Sequence, residues 1–163
     1  GYTVEGHYVY PWMSVREAER YQRDTFPQWS CEHFAETVRR FSIDPAQKIR
    51  QLSRGQRAGV SVALTLATEP ELLILDDPAL GLDPVSRRGL NETLLDFCES
   101  GRRTILISTH MLDDVERIAD RVAVGTPPQA ESVTKRITAI RGLKNLRMSV
   151  PLFWGLIVSL RAY

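Results

Sequence analysis

Residues 72–78 read Leu-Leu-Ile-Leu-Asp-Asp-Pro, and this stretch decides the fold. Four consecutive apolar residues predict a strand buried on both faces, as in parallel sheets. Asp76 and Asp77 follow at its carboxyl end, where open α/β sheets bind their ligands. One carboxylate there can hold Mg²⁺, and the second can polarise an attacking water. An ordinary acidic turn before Pro78 would have the same sequence, so both interpretations stay open at this point.

Upstream of this strand the sequence predicts four helices. Ser14 and Glu17 have the spacing of a capping box, and so do Ser53 and Gln56, which marks two helix starts. Asp44 followed by proline predicts the first positions of a short helix. The predicted spans are residues 14–26, residues 30–41 with Phe34, Val38 and Phe41 on one face, a short helix from residue 44, and residues 53–68.

Downstream, apolar runs predict strands at residues 104–108 and 121–124, with a helix over 111–119 between them. A helix that begins at Asp83-Pro84 and ends at Gly101 precedes them. Residues 1–7 predict a short strand that runs into a loop. Helices that alternate with buried strands predict an α/β domain with a parallel sheet.

Two further features could serve a ligand. Residues 52–56 read Leu-Ser-Arg-Gly-Gln, and a Ser cap followed by Gly lets the amides of a helix N-terminus approach a phosphate. A plain capped helix would have the same pattern. His110 follows the predicted strand 104–108, at the same sheet edge as the aspartates. A lone His is usually structural, but at that edge it could also face a ligand.

The charge distribution sets the last part of the chain apart. The 163 residues carry a net charge of +1, which does not indicate a nucleic-acid partner. Residues 1–125 hold 15 basic and 19 acidic side chains, whereas residues 126–163 hold six basic side chains and one acidic. Cys31 and Cys98 lack metal-site spacing and are expected to be free thiols rather than a disulfide.

The basic stretch leads into an apolar run at residues 150–160, which is too short to span a bilayer. Basic residues followed by an apolar run with Trp would suit an interfacial anchor or the start of a membrane segment. A C-terminal helix that packs on the domain, or a disordered or non-native extension, would also fit. The first residue is Gly1 rather than Met, which is expected both of a fragment and of a processed chain.

Four segments together resemble the motifs of the ATP-binding cassette (ABC) ATPases, in the family's order and at its spacing. Residues 52–56 resemble the signature, 72–78 Walker B, 81–84 the D-loop and 108–110 the H-loop. Upstream, residues 1–5 resemble the strand that enters the Q-loop, with Glu5 where the family usually has Gln. Residues 11–17 resemble the start of the helical subdomain that faces the membrane partner.

The resemblance covers roughly residues 1–125 and implies part of a P-loop NTPase (RecA-like) sheet with an inserted α-helical subdomain. That subdomain would span residues 10–54 and carry the signature, the α/β core would span residues 55–125, and residues 126–163 would form a basic tail. The implied function is that of the ATP-binding subunit of an ABC transporter, which couples ATP binding and hydrolysis to transport. Its cofactors would be ATP and Mg²⁺. Its partners would be a second ABC ATPase subunit and a transmembrane permease, with no nucleic acid, and it would lie peripherally at the cytoplasmic face of the membrane.

The resemblance also assigns roles to individual residues. In the family, ATP lies between two subunits, and the signature of one caps the phosphates held by the other. Asp76 would organise Mg²⁺, Asp77 would occupy the position of the catalytic base, and His110 would contact the γ-phosphate. The residues expected to contact nucleotide or to communicate across the dimer are Ser53, Arg54, Gly55, Gln56, Glu5 and Asp83.

The sequence departs from the family's pattern at several points. No segment of the 163 residues matches G-x-x-x-x-G-K-[ST], the Walker A motif whose amides and Lys cradle the phosphates. We therefore expect this chain alone to bind ATP weakly or not at all and not to hydrolyse it. Asp77 replaces the usual Glu, which predicts slower hydrolysis, and Arg54 replaces a Gly of the signature. A catalytically incompetent fragment or regulatory remnant, and a non-transport ABC ATPase, stay open as alternatives.

Overall fold

The computed structural model describes residues 1–3, 9–99, 103–109, 121–124 and 156–161. Four helices lie in these ranges: α1 (Val15–Thr25), α2 (Cys31–Arg40), α3 (Arg54–Leu66) and α4 (Pro84–Glu99). Five strands accompany them: β1 (Tyr2–Thr3), β2 (Leu72–Asp76), β3 (Thr104–Thr109), β4 (Arg121–Val124) and β5 (Leu156–Arg161). The predicted helix over residues 111–119 lies outside the described residues.

The helices begin where their caps predict. The hydroxyls of Ser14 and Ser53 each accept a hydrogen bond from the backbone N–H three residues on, and the side-chain oxygens of Glu17 and Gln56 accept one from the N–H of the cap residue. Both predicted capping boxes are therefore confirmed. Ser30 caps α2 through the N–H of His33. The face of α2 predicted to be apolar is buried, and it packs against α3 in the core.

The predicted helix at Asp44 is wrong. Asp44 instead begins a turn in which its carboxylate accepts from the N–H of Ala46 at 2.9 Å, and a single 3₁₀ turn follows at Ile49–Gln51. Backbone groups of residues 45–49 bond to residues 13–16 at the start of α1; for example, Val15 N–H donates to Gln47 O at 3.1 Å. These long-range bonds use the groups that a local helix would need.

The strands form one sheet in the order β1-β2-β3-β5-β4. Strands β1, β2 and β3 run parallel, which confirms the predicted parallel α/β core. Strand β5 lies antiparallel between β3 and β4. For the apolar run at residues 150–160 the sequence suggested an interfacial anchor, the start of a membrane segment, a C-terminal helix or an extension, but not a strand. The run Leu-Ile-Val at 156–158 is rich in the β-branched residues that favour strands.

Only one face of β2 is buried. Leu73 and Leu75 are 1% and 0% exposed, whereas Leu72 and Ile74 are 48% and 38% exposed. The prediction of burial on both faces is therefore wrong for the described part of the chain, because α3 and α4 cover the Leu73–Leu75 side and no described helix covers the other.

Two smaller expectations concern cysteines and membrane segments. Cys31 is exposed and Cys98 is buried, and both thiols are free, as predicted. No helix in the described ranges combines the length and the apolar character needed to cross a bilayer.

Candidate functional site

The carboxyl ends of β2 and β3 place three polar residues side by side. The strand register pairs Asp76 with Ser108. The Ser108 hydroxyl donates to Oδ1 of Asp76 at 2.6 Å, and Ser108 Oγ accepts from the backbone N–H of Asp77 at 3.0 Å. The same N–H lies 3.0 Å from the carbonyl oxygen of Ser108. Both aspartates are therefore tied to β3 at the sheet edge where the sequence predicts a ligand site.

Asp77 has an unusual backbone conformation. Its φ of 39° lies in the left-handed region, which non-glycine residues adopt at a cost of about 1–3 kcal/mol. Asp is among the few residues enriched there. The turn continues with the N–H of Leu80 donating to Asp77 O at 3.1 Å. The chain therefore bends sharply after β2 and turns directly into residues 81–84.

Residues 52–56 form the start of α3. Ser53 and Arg54 are exposed, whereas Gly55 is buried. The Gln56 side chain is already used within the chain: its Oε1 accepts from the N–H of Ser53 at 3.1 Å, and its Nε2 donates to Ser42 O at 3.1 Å. Ser53 and the first turn of α3 thus form the surface that could face a phosphate, and Gln56 supports that turn.

The start of α3 packs on residues 81–86 through two glycines. A Cβ at Gly55 would lie 2.0 Å from Ser86 Oγ, and a Cβ at Gly81 would lie 2.4 Å from Nη1 of Arg54. Gly81 has a φ of +66°. Each segment therefore uses a glycine to make room for a side chain of the other. The structure brings the signature-like residues 52–56 and the D-loop-like residues 81–84 into direct contact.

Asp83 caps α4. Its Oδ1 accepts from the N–H groups of Val85 and Ser86 at 3.0 Å each, and its Oδ2 accepts from the Ser86 hydroxyl at 2.6 Å. The hydrogen bonds from the Ser86 hydroxyl and then the Ser86 amide hold the pKa of Asp83 below its usual value. Asp83 is exposed beside the exposed Ser53 and Arg54, so the ends of both helices lie on one surface.

The donor set fits Mg²⁺ in the way that nucleotide sites use it. Mg²⁺ is usually bound through one or two carboxylates plus substrate phosphates rather than by an all-protein cage. Asp76 supplies such a carboxylate. The described residues contain no group of three or more His, Cys, Asp or Glu side chains that could hold a metal ion by themselves.

Two of the predicted site residues, Glu5 and His110, lie outside the described residues, and their roles stay predictions. Ser108 was predicted only as part of the H-loop-like segment 108–110, with no role of its own, and Ser86 was not predicted as a site residue. The contact of Ser108 with Asp76 depends on strand register, and the contact of Ser86 with Gly55 depends on how the helices pack. Neither can be read from the sequence. The one local signal was that Ser108 is the last residue of the predicted strand 104–108 and stands two residues before His110.

Comparison with known proteins identifies relatives of one kind. The family model described as ABC transporter matches residues 1–80. The chain is 31% identical over 129 residues to the aliphatic sulfonates import ATP-binding protein SsuB of Bacillus licheniformis, covering 77% of this chain and 50% of that protein. The chain thus spans about half the length of this curated relative.

Solved structures agree. The structure of an ATP-binding subunit of an ABC transporter matches with a TM-score of 0.63 at 27% identity, covering 74% of this chain and 52% of that one. The dimeric structure of the bacterial ABC transporter cassette MJ0796 matches with a TM-score of 0.58 at 20% identity, covering 71% and 54%, which supports the fold alone. In its motifs, fold and relatives, the chain is similar to ABC transporter ATP-binding proteins over about half of their length.

Proposed function

We propose that the chain forms the signature-bearing and Walker B-bearing part of an ATP-binding subunit that couples ATP binding and hydrolysis to transport across a membrane. The observation that supports this most is the cluster at the carboxyl ends of β2 and β3. There Asp76, Asp77 and Ser108 lie together at the ligand-binding edge of a parallel sheet.

Asp76 would hold Mg²⁺. A bound Mg²⁺ neutralises the charge that develops on transferring phosphates. The contribution of this chain is to present one carboxylate in a fixed orientation, since Oδ1 of Asp76 is held by the Ser108 hydroxyl at 2.6 Å. This arrangement supports the role of Asp76 without requiring any further protein ligand.

Asp77 would accept a hydrogen bond from the attacking water and orient it. Its side chain is one methylene shorter than the Glu that the family usually has there. A displacement of about 1 Å in a catalytic group can cost about 10²-fold in rate. We therefore propose that this site hydrolyses ATP slowly compared with a Glu-containing site, with His110 contacting the γ-phosphate beside it.

The start of α3 would act on nucleotide held by a second subunit. The free N–H groups and the helix dipole at a helix N-terminus favour a phosphate, and Ser53 and Arg54 are exposed there. Gly55 lets that turn lie against Ser86 and Asp83. Movement of one segment would thus be transmitted to the other. We propose a dimer in which this surface of one subunit closes on the nucleotide of its partner.

An aromatic patch on the helical subdomain would contact the permease at the cytoplasmic face of the membrane. Tyr10, Trp12 and Tyr21 are 41%, 64% and 49% exposed, and their rings pack together at centroid distances of 5.4 and 5.9 Å. Exposed aromatic clusters are typical of protein interfaces.

Trp12→Ala should weaken assembly with the permease, because it removes the most exposed ring of this patch. Val85→Ala, at an exposed position on α4, should leave assembly unchanged. Equal effects of the two substitutions would contradict this assignment.

Calorimetric titration with ATP and Mg²⁺ tests the nucleotide role. The 163-residue chain should bind ATP weakly or not at all, since it contains no Walker A motif, and the chain extended upstream by a Walker A segment should bind it. Asp76→Asn in the extended chain should weaken the Mg²⁺ dependence of binding, and Asp24→Asn, at an exposed position on α1, serves as the matched control. Mg²⁺-dependent binding that Asp76→Asn leaves unchanged would contradict the proposal.

A further inference from the structure

The Ser108 hydroxyl links the carboxylate of Asp76 to the backbone of Asp77. The register places it directly opposite Asp76 on the neighbouring parallel strand, so both side chains project from the same face of the sheet. A serine hydroxyl has one proton to donate and two lone pairs that accept. Here the donor side is used by Asp76 Oδ1 and an acceptor side by the N–H of Asp77.

The two hydrogen bonds fix each other's direction. Because the Asp77 N–H occupies one side of Ser108 Oγ, the hydroxyl proton is directed toward Asp76. A short O–H···O⁻ bond of 2.6 Å belongs to the stronger, charge-assisted class. The N–H that completes the chain of bonds belongs to the residue with φ 39°, so the same hydroxyl also helps hold the bend at Asp77.

We propose that Ser108 is a positioning residue for the reaction: it sets the orientation of the Asp76 carboxylate, with Oδ2 presented to a divalent cation, and it fixes the backbone at Asp77. The cation part of this proposal rests on the proposed function, in which Asp76 holds Mg²⁺. Ser108 itself needs no contact with metal or nucleotide. Hydrogen-bond partners of metal-binding carboxylates typically change metal affinity or activity by about 10–100-fold when removed.

Threonine and valine at position 108 form a matched pair for the test. They have nearly the same shape, and both suit a strand, but only Thr retains the hydroxyl. The experiment uses the chain extended upstream by a Walker A segment, with Mn²⁺ and ATP together as the probe, and reads Mn²⁺ affinity from water proton relaxation. The Asp77 amide is read from ¹H–¹⁵N NMR of the same proteins without Mn²⁺. Unfolding curves recorded on the same samples establish that the variants are folded, and Asp76→Asn is the control for the cation site.

Ser108→Thr should bind Mn²⁺ like the wild type and keep the wild-type Asp77 amide signal. Ser108→Val should bind Mn²⁺ about 10-fold more weakly and shift the Asp77 amide. Equal behaviour of the Thr and Val variants in both measurements would overturn the proposal. If Asp76→Asn left Mn²⁺ binding unchanged, the cation role in the proposed function would fail, and with it the Oδ2 part of this inference. The Asp77 amide would then decide the backbone part independently, since a wild-type signal in Ser108→Val overturns it.

Discussion

Asp77 combines a short side chain with a left-handed backbone. Asp and Asn adopt positive φ more readily than Glu does. The φ of 39° at Asp77 lies in that region, so the backbone here favours Asp over Glu. The backbone nitrogen of Asp77 lies 3.0 Å from both the carbonyl oxygen and the hydroxyl oxygen of Ser108. The residue type is therefore consistent with the local backbone, although the carboxylate reaches less far than the Glu usual in the family.

Asp77→Glu separates these two effects. In the chain extended by a Walker A segment, we expect faster ATP hydrolysis, by up to about 10²-fold, because the carboxylate regains about 1 Å of reach. We also expect a small loss of stability from the less favourable backbone. Steady-state kcat and urea unfolding of the same protein measure both, and an unchanged kcat would contradict the argument from reach.

Among single residues, the sequence predicted those positions that depend only on near neighbours in the chain. The cap at Ser53 and the position of Asp76 at a strand end follow from a few neighbouring residues, and the structure confirms both positions. The contact between Ser108 and Asp76 depends on strand register, and the contact of Arg54 with Gly81 depends on tertiary packing. Neither can be read from spacing along the chain.

Among the elements, α3 and α4 define the site because their first turns touch. The contact requires a glycine at position 55, since a Cβ there would lie 2.0 Å from Oγ and 2.6 Å from Cβ of Ser86. A rotation of the Ser86 side chain could move the oxygen, but the Cβ is fixed to the backbone of α4. Helix α3 cannot accept a side chain at this point without moving away from α4.

Gly55→Ala and Gly89→Ala form a matched pair for this contact. Both glycines are helical, but a Cβ at Gly89 would meet its nearest neighbours at 3.8 Å, an ordinary contact. We expect Gly89→Ala to stabilise the fold by about 0.5–1 kcal/mol through helix propensity. Gly55→Ala should destabilise it by about 1–3 kcal/mol through overpacking. Urea unfolding measures both, and equal effects at the two positions would contradict the close packing.

The start of α1 gives the fold a pH dependence. The backbone N–H of Ser14, then Lys48 and the Ser14 hydroxyl, lower the pKa of Glu17 from 4.5 to about 2. Because the folded-state pKa is the lower one, this contribution to stability is present above about pH 4.5 and is lost as the pH falls toward 2.

Glu17→Gln retains the capping-box geometry but cannot titrate. We expect the variant to be less stable than the wild type at pH 6 and to approach it as the pH is lowered to 2, where Glu17 becomes protonated. Urea unfolding at intervals between pH 6 and 2 checks this expectation. A constant difference between the two proteins over the whole range would show that the Glu17 charge is not involved.

The elements themselves were largely predictable, because capping boxes and apolar runs are local signals. The exception at Asp44 has a tertiary cause: Ile49 N–H donates to Met13 O at 2.9 Å and Arg16 N–H to Pro45 O at 2.9 Å. Strand β5 was missed for a similar reason, since its partners β3 and β4 lie more than 30 residues away in the sequence.

At the scale of the whole molecule, the described part of the chain leaves one face of β2 uncovered. Leu72 and Ile74 leave one face of β2 exposed, and the chain spans about half the length of the relatives it matches. The apolar run at residues 72–75 predicted a doubly covered strand, as parallel sheets require. We propose that in a complete cassette this face packs against the segment that carries Walker A.

We propose that the start of α3 serves a nucleotide bound to another subunit, and a mixing experiment separates this role from one toward the subunit's own nucleotide. In the chain extended by a Walker A segment, Ser53→Arg should inactivate the surface offered to the partner, and Asp76→Asn should inactivate the subunit's own cation site. Each variant alone should lose nearly all ATP hydrolysis. A mixture of the two, exchanged under conditions that let dimers re-form, should recover hydrolysis, because mixed dimers contain one site with an intact α3 start from one subunit and an intact Asp76 from the other. No recovery in mixtures shown to contain mixed dimers would mean that both residues serve the same subunit's nucleotide, and would contradict the account.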